Sequence, residues 1–64
     1  MTDYARDVRK YLSEAGWRFQ RYGKGDHERW INPATGEKVT VDSEIKSRGT
    51  ANGILKEAGI GKKL

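Results

Sequence analysis

Apolar and polar residues alternate along this chain with two different periods, and the changes of period mark its elements. From residue 3 to 15, Tyr4, Val8, Tyr11, Leu12 and Ala15 recur at three- and four-residue intervals, the spacing of one buried helix face. Arg6, Arg9 and Lys10 fall mainly on the opposite, solvated side. Thr2 or Asp3 can cap the start of this helix, and Gly16 suits the left-handed residue just past its end.

The period then drops to two. Residues 17–22, Trp-Arg-Phe-Gln-Arg-Tyr, read as an aromatic-rich strand, 27–31 as a second strand and 37–41, Glu-Lys-Val-Thr-Val, as a third. Gly23-Lys24-Gly25-Asp26 and Asn32-Pro33-Ala34-Thr35-Gly36 are the turns between them. A loop running from Gly23 to Asp26 sets Tyr22 opposite His27, Gln20 opposite Arg29 and Phe19 opposite Trp30. A second loop from Pro33 to Gly36 sets Trp30 opposite Val39. Opposed residues share a sheet face. Trp17, Phe19, Trp30, Val39 and Val41 then form the core face. Arg18, Gln20, Tyr22, His27, Arg29, Lys38 and Thr40 lie on the other, with Ile31 its one apolar exception.

A connector from Asp42 to Arg48 leads to a last helix, with Thr50 as its cap and Ile54, Leu55 and Ala58 as its buried stripe. Gly59 fits the position after that helix, with Ile60 packing back against it. Leu12-Ser13-Glu14-Ala15-Gly16-Trp17 and Leu55-Lys56-Glu57-Ala58-Gly59-Ile60 look alike, as one helix-stop solution used twice. Gly61 to Leu64 reads as a frayed basic tail. The expected fold is α+β, in the order α-β-β-β-α. Two helices cover one face of a three-stranded antiparallel sheet and leave the other open, the topology of double-stranded-RNA-binding domains.

Composition narrows the chemistry. A chain of 64 residues has room for one small core. It has no cysteine, which excludes disulfides and thiolate-bound zinc, and its one histidine cannot build a histidine-based metal site. No acidic cluster stands out for Mg²⁺, so no cofactor is expected. Thirteen Lys and Arg against nine Asp and Glu give a formal charge of +4, which favours polyanionic partners. The charged first fifteen residues do not read as a signal peptide, and no stretch has the apolar length of a membrane span. The expected setting is the cytoplasm.

The single histidine sits in the most distinctive stretch, Tyr22-Gly23-Lys24-Gly25-Asp26-His27-Glu28-Arg29-Trp30. A histidine at a strand start and a glycine-rich turn are also ordinary parts of a polar hairpin. Four segments change that balance: Gly16-Trp17, the run from Gly23 to Trp30, Asn32 to Gly36, and Val39-Thr40-Val41. With the tail from Lys46 to Ile60 they resemble the HicA family of toxins. The Gly-x-His turn and the closing Ile54-Leu55-Lys56-Glu57-Ala58-Gly59-Ile60 are the most specific parts.

The resemblance covers nearly the whole chain and implies one HicA-like domain over 1–64. It implies an mRNA interferase, a small ribonuclease of a toxin–antitoxin pair that is neutralised by a HicB-like antitoxin. The family's fold is double-stranded-RNA-binding-like, and its catalytic histidine maps onto His27. The commonest family pattern has serine before that histidine; Asp26 stands there in this chain, as in a subgroup of relatives. Those relatives often carry a second histidine where this chain has Gly49.

One histidine can serve RNA cleavage because RNA brings its own nucleophile, the 2′-hydroxyl. An imidazole, with an ordinary pKa near 6.5, can take that proton or protonate the leaving 5′-oxygen near neutral pH. Lys24 and Arg29 are the first candidates for stabilising the phosphate charge, followed by Arg21, Lys38, Lys46 and Arg48. Asp26 or Glu28 could orient the ring. Gly25 can let backbone approach a phosphate, and Tyr22 can stack on an unpaired base. Two other readings use the same residues: a non-catalytic RNA-binding module, and a surface that mainly receives an antitoxin.

Overall fold

The structure, a computed structural model, describes residues 3–64. Thr2, one of the two expected caps of the first helix, lies outside the described residues. The other, Asp3, accepts from the N–H of Ala5 at 3.0 Å. Its Oδ1 also accepts from the N–H of Ile45 at 3.2 Å, while the N–H of Tyr4 donates to the Ile45 carbonyl at 2.8 Å. The two N–H groups, Ala5 first, hold the Asp3 carboxyl below its usual pKa.

The elements are α1 (Ala5–Glu14), β1 (Arg18–Tyr22), β2 (Glu28–Ile31), β3 (Lys38–Val41) and α2 (Arg48–Glu57). The three strands form one antiparallel sheet in the order β1-β2-β3, with both helices on one side, the arrangement of double-stranded-RNA-binding domains. α1 buries Ala5, Val8 and Leu12, while Tyr4 and Tyr11 flank the core half-buried and Ala15 faces solvent. Trp17, Trp30, Val39 and Val41 supply the sheet side of the core, and Ala51 and Leu55 the α2 side. Ile54 and Ala58, expected in the buried stripe, are half-buried at its margin. Ile45, in a segment that reads as a polar connector, is 2% exposed and belongs to the core.

Both helices stop in the same way. Gly16 and Gly59 have φ of +92° and +74°, and the Trp17 and Ile60 N–H groups reach back to the Leu12 and Leu55 carbonyls, each at 2.9 Å. These are Schellman motifs, with Trp17 and Ile60 folding back as their apolar residues. α2 starts earlier than expected. Ser47, not Thr50, is its cap, and the Ser47 hydroxyl accepts from the Thr50 N–H at 3.4 Å. The residues after α2 are not frayed either. The Asn52 side chain takes both backbone groups of Leu64, accepting from its N–H at 2.7 Å and donating to its carbonyl at 3.4 Å. Lys62 lies 5.0 Å over the Tyr11 ring and pairs with Glu14 at 3.3 Å.

Phe19, expected in the core, is 44% exposed. It does oppose Trp30, edge-on with ring centroids 6.2 Å apart. The helices, however, pack on β3 and on each other, and β1 is an outer strand whose whole length is exposed. A residue can point toward the helix side and still lie beyond the helices' reach.

Candidate functional site

The second hairpin has the expected register: Trp30 opposes Val39, and Ile31 opposes Lys38. Its turn is closed by Asn32, whose N–H donates to the Glu37 carbonyl at 2.8 Å and whose carbonyl accepts from Gly36, at φ +79°. The first hairpin departs from expectation by one residue. The Gly23 N–H donates to the His27 carbonyl at 2.6 Å, so the loop proper is Lys24-Gly25-Asp26, with Gly25 at φ +70°. Tyr22 then opposes Glu28 and Arg21 opposes Arg29, while Phe19 still opposes Trp30. Gln20 is the extra residue, a β-bulge that absorbs the difference.

That bulge exchanges two side chains between faces. Tyr22 shares the helix side with Glu28 and sits against Phe19, ring centroids 5.1 Å apart, instead of beside His27. Arg21 takes its place on the open face, directly across from Arg29. Glu28 is on the helix side, accepting from the Trp30 indole N–H at 2.9 Å and pairing with Arg9 of α1 at 2.9 Å. It ties β2 to α1 and is turned away from the His27 ring.

The group beside that ring is Asp42, its Oδ1 3.5 Å from His27 Nε2. Both side chains are about half exposed. Asp42 was not among the residues expected to orient the histidine, yet the signal was present. Carrying the β2–β3 register past Glu28↔Val41 sets His27 opposite Asp42.

Arg29, two residues from His27, lies on the same face, and the absence of a side chain at Gly23 leaves room for it. A Cβ there would lie 3.6 Å from the Arg29 Cγ. Arg18, Arg21, Arg29 and Lys38 make no ion pair among the described residues. Lys24 and Gly25 are exposed at the loop tip next to His27. Lys46 pairs with Glu44 at 3.3 Å, and Arg48 opens α2 exposed; neither makes a hydrogen bond or ion pair to His27 or Arg29. Gly49 lies in the first turn of α2, where a Cβ would meet only the Ser47 hydroxyl, at 3.6 Å. Among the described residues no three histidine, aspartate or glutamate side chains gather as a metal ion would need.

The site is therefore an exposed imidazole with a carboxylate at one ring nitrogen and unpaired arginines along the adjoining sheet face. Such a face can attract an anion, and such an imidazole can exchange a proton with it. The family model described as HicA toxin of bacterial toxin–antitoxin matches residues 5–60, from the start of α1 through Ile60. No curated protein and no solved structure matches the chain. No helix among the described residues is long and apolar enough to cross a membrane.

Proposed function

This chain belongs to the HicA toxin family, and on that premise we propose that it is an mRNA interferase, an endoribonuclease that inhibits translation by cutting mRNA. The supporting observation is the placement of its one histidine, solvent-exposed, beside Asp42 and at the end of a sheet face with unpaired cations. A carboxylate at Nε2 favours the tautomer protonated there and leaves Nδ1 free to act as base. His27 takes the proton of the RNA 2′-hydroxyl as that oxygen attacks the neighbouring phosphorus. The bond from phosphorus to the 5′-oxygen breaks, one fragment keeps a 2′,3′-cyclic phosphate, and the leaving 5′-oxygen takes up a proton from solvent, to which His27 returns the one it took. Proton transfer of this kind is typically worth about 10²–10⁴-fold in rate. Lys24 stabilises the charge that gathers on the scissile phosphate, and Arg29, in the adjoining row, holds the backbone beside it. Lys24 and the open backbone at Gly25 approach the scissile phosphate from the loop tip. A cognate HicB-like antitoxin is the protein partner in this reading.

The test is His27→Ala. Its loss is expected to abolish RNA cleavage and growth inhibition while the circular-dichroism spectrum and melting temperature stay unchanged. Wild-type product should carry a cyclic phosphate end. Undiminished cleavage by the variant would remove His27 from the chemistry. Tight RNA binding without any cleavage by the wild type would favour a non-catalytic binding module on the same basic face.

A further inference from the structure

The open sheet face has a periodic arrangement that cleavage at His27 alone does not require. Across the three strands, Arg18, Ile31 and Lys38 stand in one row. Arg21, Arg29 and Thr40 stand in the next, and the same register continues to His27 and Asp42. Side chains on one face of a strand recur every second residue, so the rows are about 7 Å apart. That is the reach of one sugar–phosphate repeat in an unstacked nucleic-acid strand.

Two features of these rows are costly for an isolated protein. Arg21 and Arg29 are directly opposed like charges, which destabilises a sheet. Ile31, half-buried, leaves apolar surface open between Arg18 and Lys38. Both become favourable with a nucleotide on the face. A phosphate between the two arginines pairs with both and offsets their repulsion, and a ribose or base can lie on Ile31 while the flanking cations hold the next phosphate.

We propose that these rows are a substrate track for single-stranded RNA. The Arg21–Arg29 pair holds the phosphate next to the scissile one, and the Arg18–Lys38 pair holds the phosphate one nucleotide further along. This rests on the reading of the site as ribonucleolytic and adds its footprint: one strand of RNA lying along β2, its scissile bond at His27. Rows that follow one strand direction match one strand of phosphates, whereas a duplex presents two.

The experiment measures binding of a short, unstructured, fluorescein-labelled RNA to the His27→Ala chain across a salt series. For single strands the slope of log K against log salt is about −0.7 for each phosphate neutralised. Removing both cations of a row, as Arg21→Ala with Arg29→Ala or as Arg18→Ala with Lys38→Ala, should flatten that slope by about 0.7 in each case. Lys56→Ala, on α2, should leave it unchanged. In the His27-containing chain, Arg21→Ala and Lys38→Ala should raise KM more than they lower kcat, without lowering the melting temperature. If the slope survives both paired substitutions while the wild type still cleaves RNA, the track is wrong and the ribonuclease reading stands. If the wild type neither binds nor cleaves RNA, the ribonuclease reading fails first. Equal or tighter binding of duplex RNA, or a slope that survives while antitoxin binding is lost, would overturn the single-strand assignment.

Discussion

Asp42 stands across the sheet from His27, with its Oδ1 3.5 Å from Nε2, where the β2–β3 register runs past its last ladder pair. Both groups are half exposed, so solvent screens them, and a pair of this kind is worth about 0–1 kcal/mol. Asp42→Asn should therefore slow single-turnover cleavage by no more than about fivefold and leave RNA affinity nearly unchanged. Asp42→Glu should recover part of the rate. A loss as large as that of His27→Ala would mean that the carboxylate itself moves a proton.

Asp3 makes stability depend on acid. Its carboxylate holds the N–H groups of Ala5 and Ile45, and its folded pKa lies below the unfolded value of about 3.9. A depressed carboxylate stabilises the fold above its unfolded pKa and ceases to do so as pH falls through the folded one. Urea midpoints of wild type and Asp3→Ala should thus differ at pH 7 and converge in strong acid.

Two glycines should respond oppositely to alanine. Gly53 lies inside α2, and a Cβ there meets nothing within 4 Å. Gly53→Ala should add about 1 kcal/mol, near 4–8 °C in melting temperature for a domain of this size. Gly59 is held at φ +74° by the Schellman stop, so Gly59→Ala should cost about 1–2 kcal/mol although its surroundings are equally open.

Asn52 is the anchor of the last residues. Losing both of its hydrogen bonds to Leu64 in Asn52→Ala should cost about 1 kcal/mol and speed proteolysis after Gly61. Unchanged proteolysis would mean that Lys62, through Glu14 and Tyr11, holds this segment alone.

What could be read from the sequence followed from local rules. The five elements in their order, both glycine stops and the second hairpin's register each come from a few adjacent residues and match expectation, apart from the start of α2, which moves from Thr50 to Ser47. The face of Tyr22 depends on a count. A period of two cannot distinguish a longer loop from a shorter one followed by a bulge, and the two choices exchange Arg21 with Tyr22. The same limit hid the pairing of Arg21 with Arg29 across the open face. Ile45 was hidden differently, because one apolar residue among Asp42, Ser43, Glu44 and Lys46 has no periodicity to mark it as core. Phe19 was on the right side of the sheet, but sidedness does not show how far the helices extend.

The bulge at Gln20 also bears on how this molecule behaves in a crowded solution. β1 is an outer strand with an exposed Phe19 and Tyr22, the kind of edge on which a second chain can add a strand and begin an aggregate. An extra residue halfway along interrupts the row of free N–H and C=O groups that such a strand would need, and Arg18 and Arg21 repel a second copy of the same edge. Deleting Gln20 would straighten the strand while leaving Tyr22 opposite Glu28 on the helix side. It would leave a smoother edge, and insoluble protein is the expected sign of its loss.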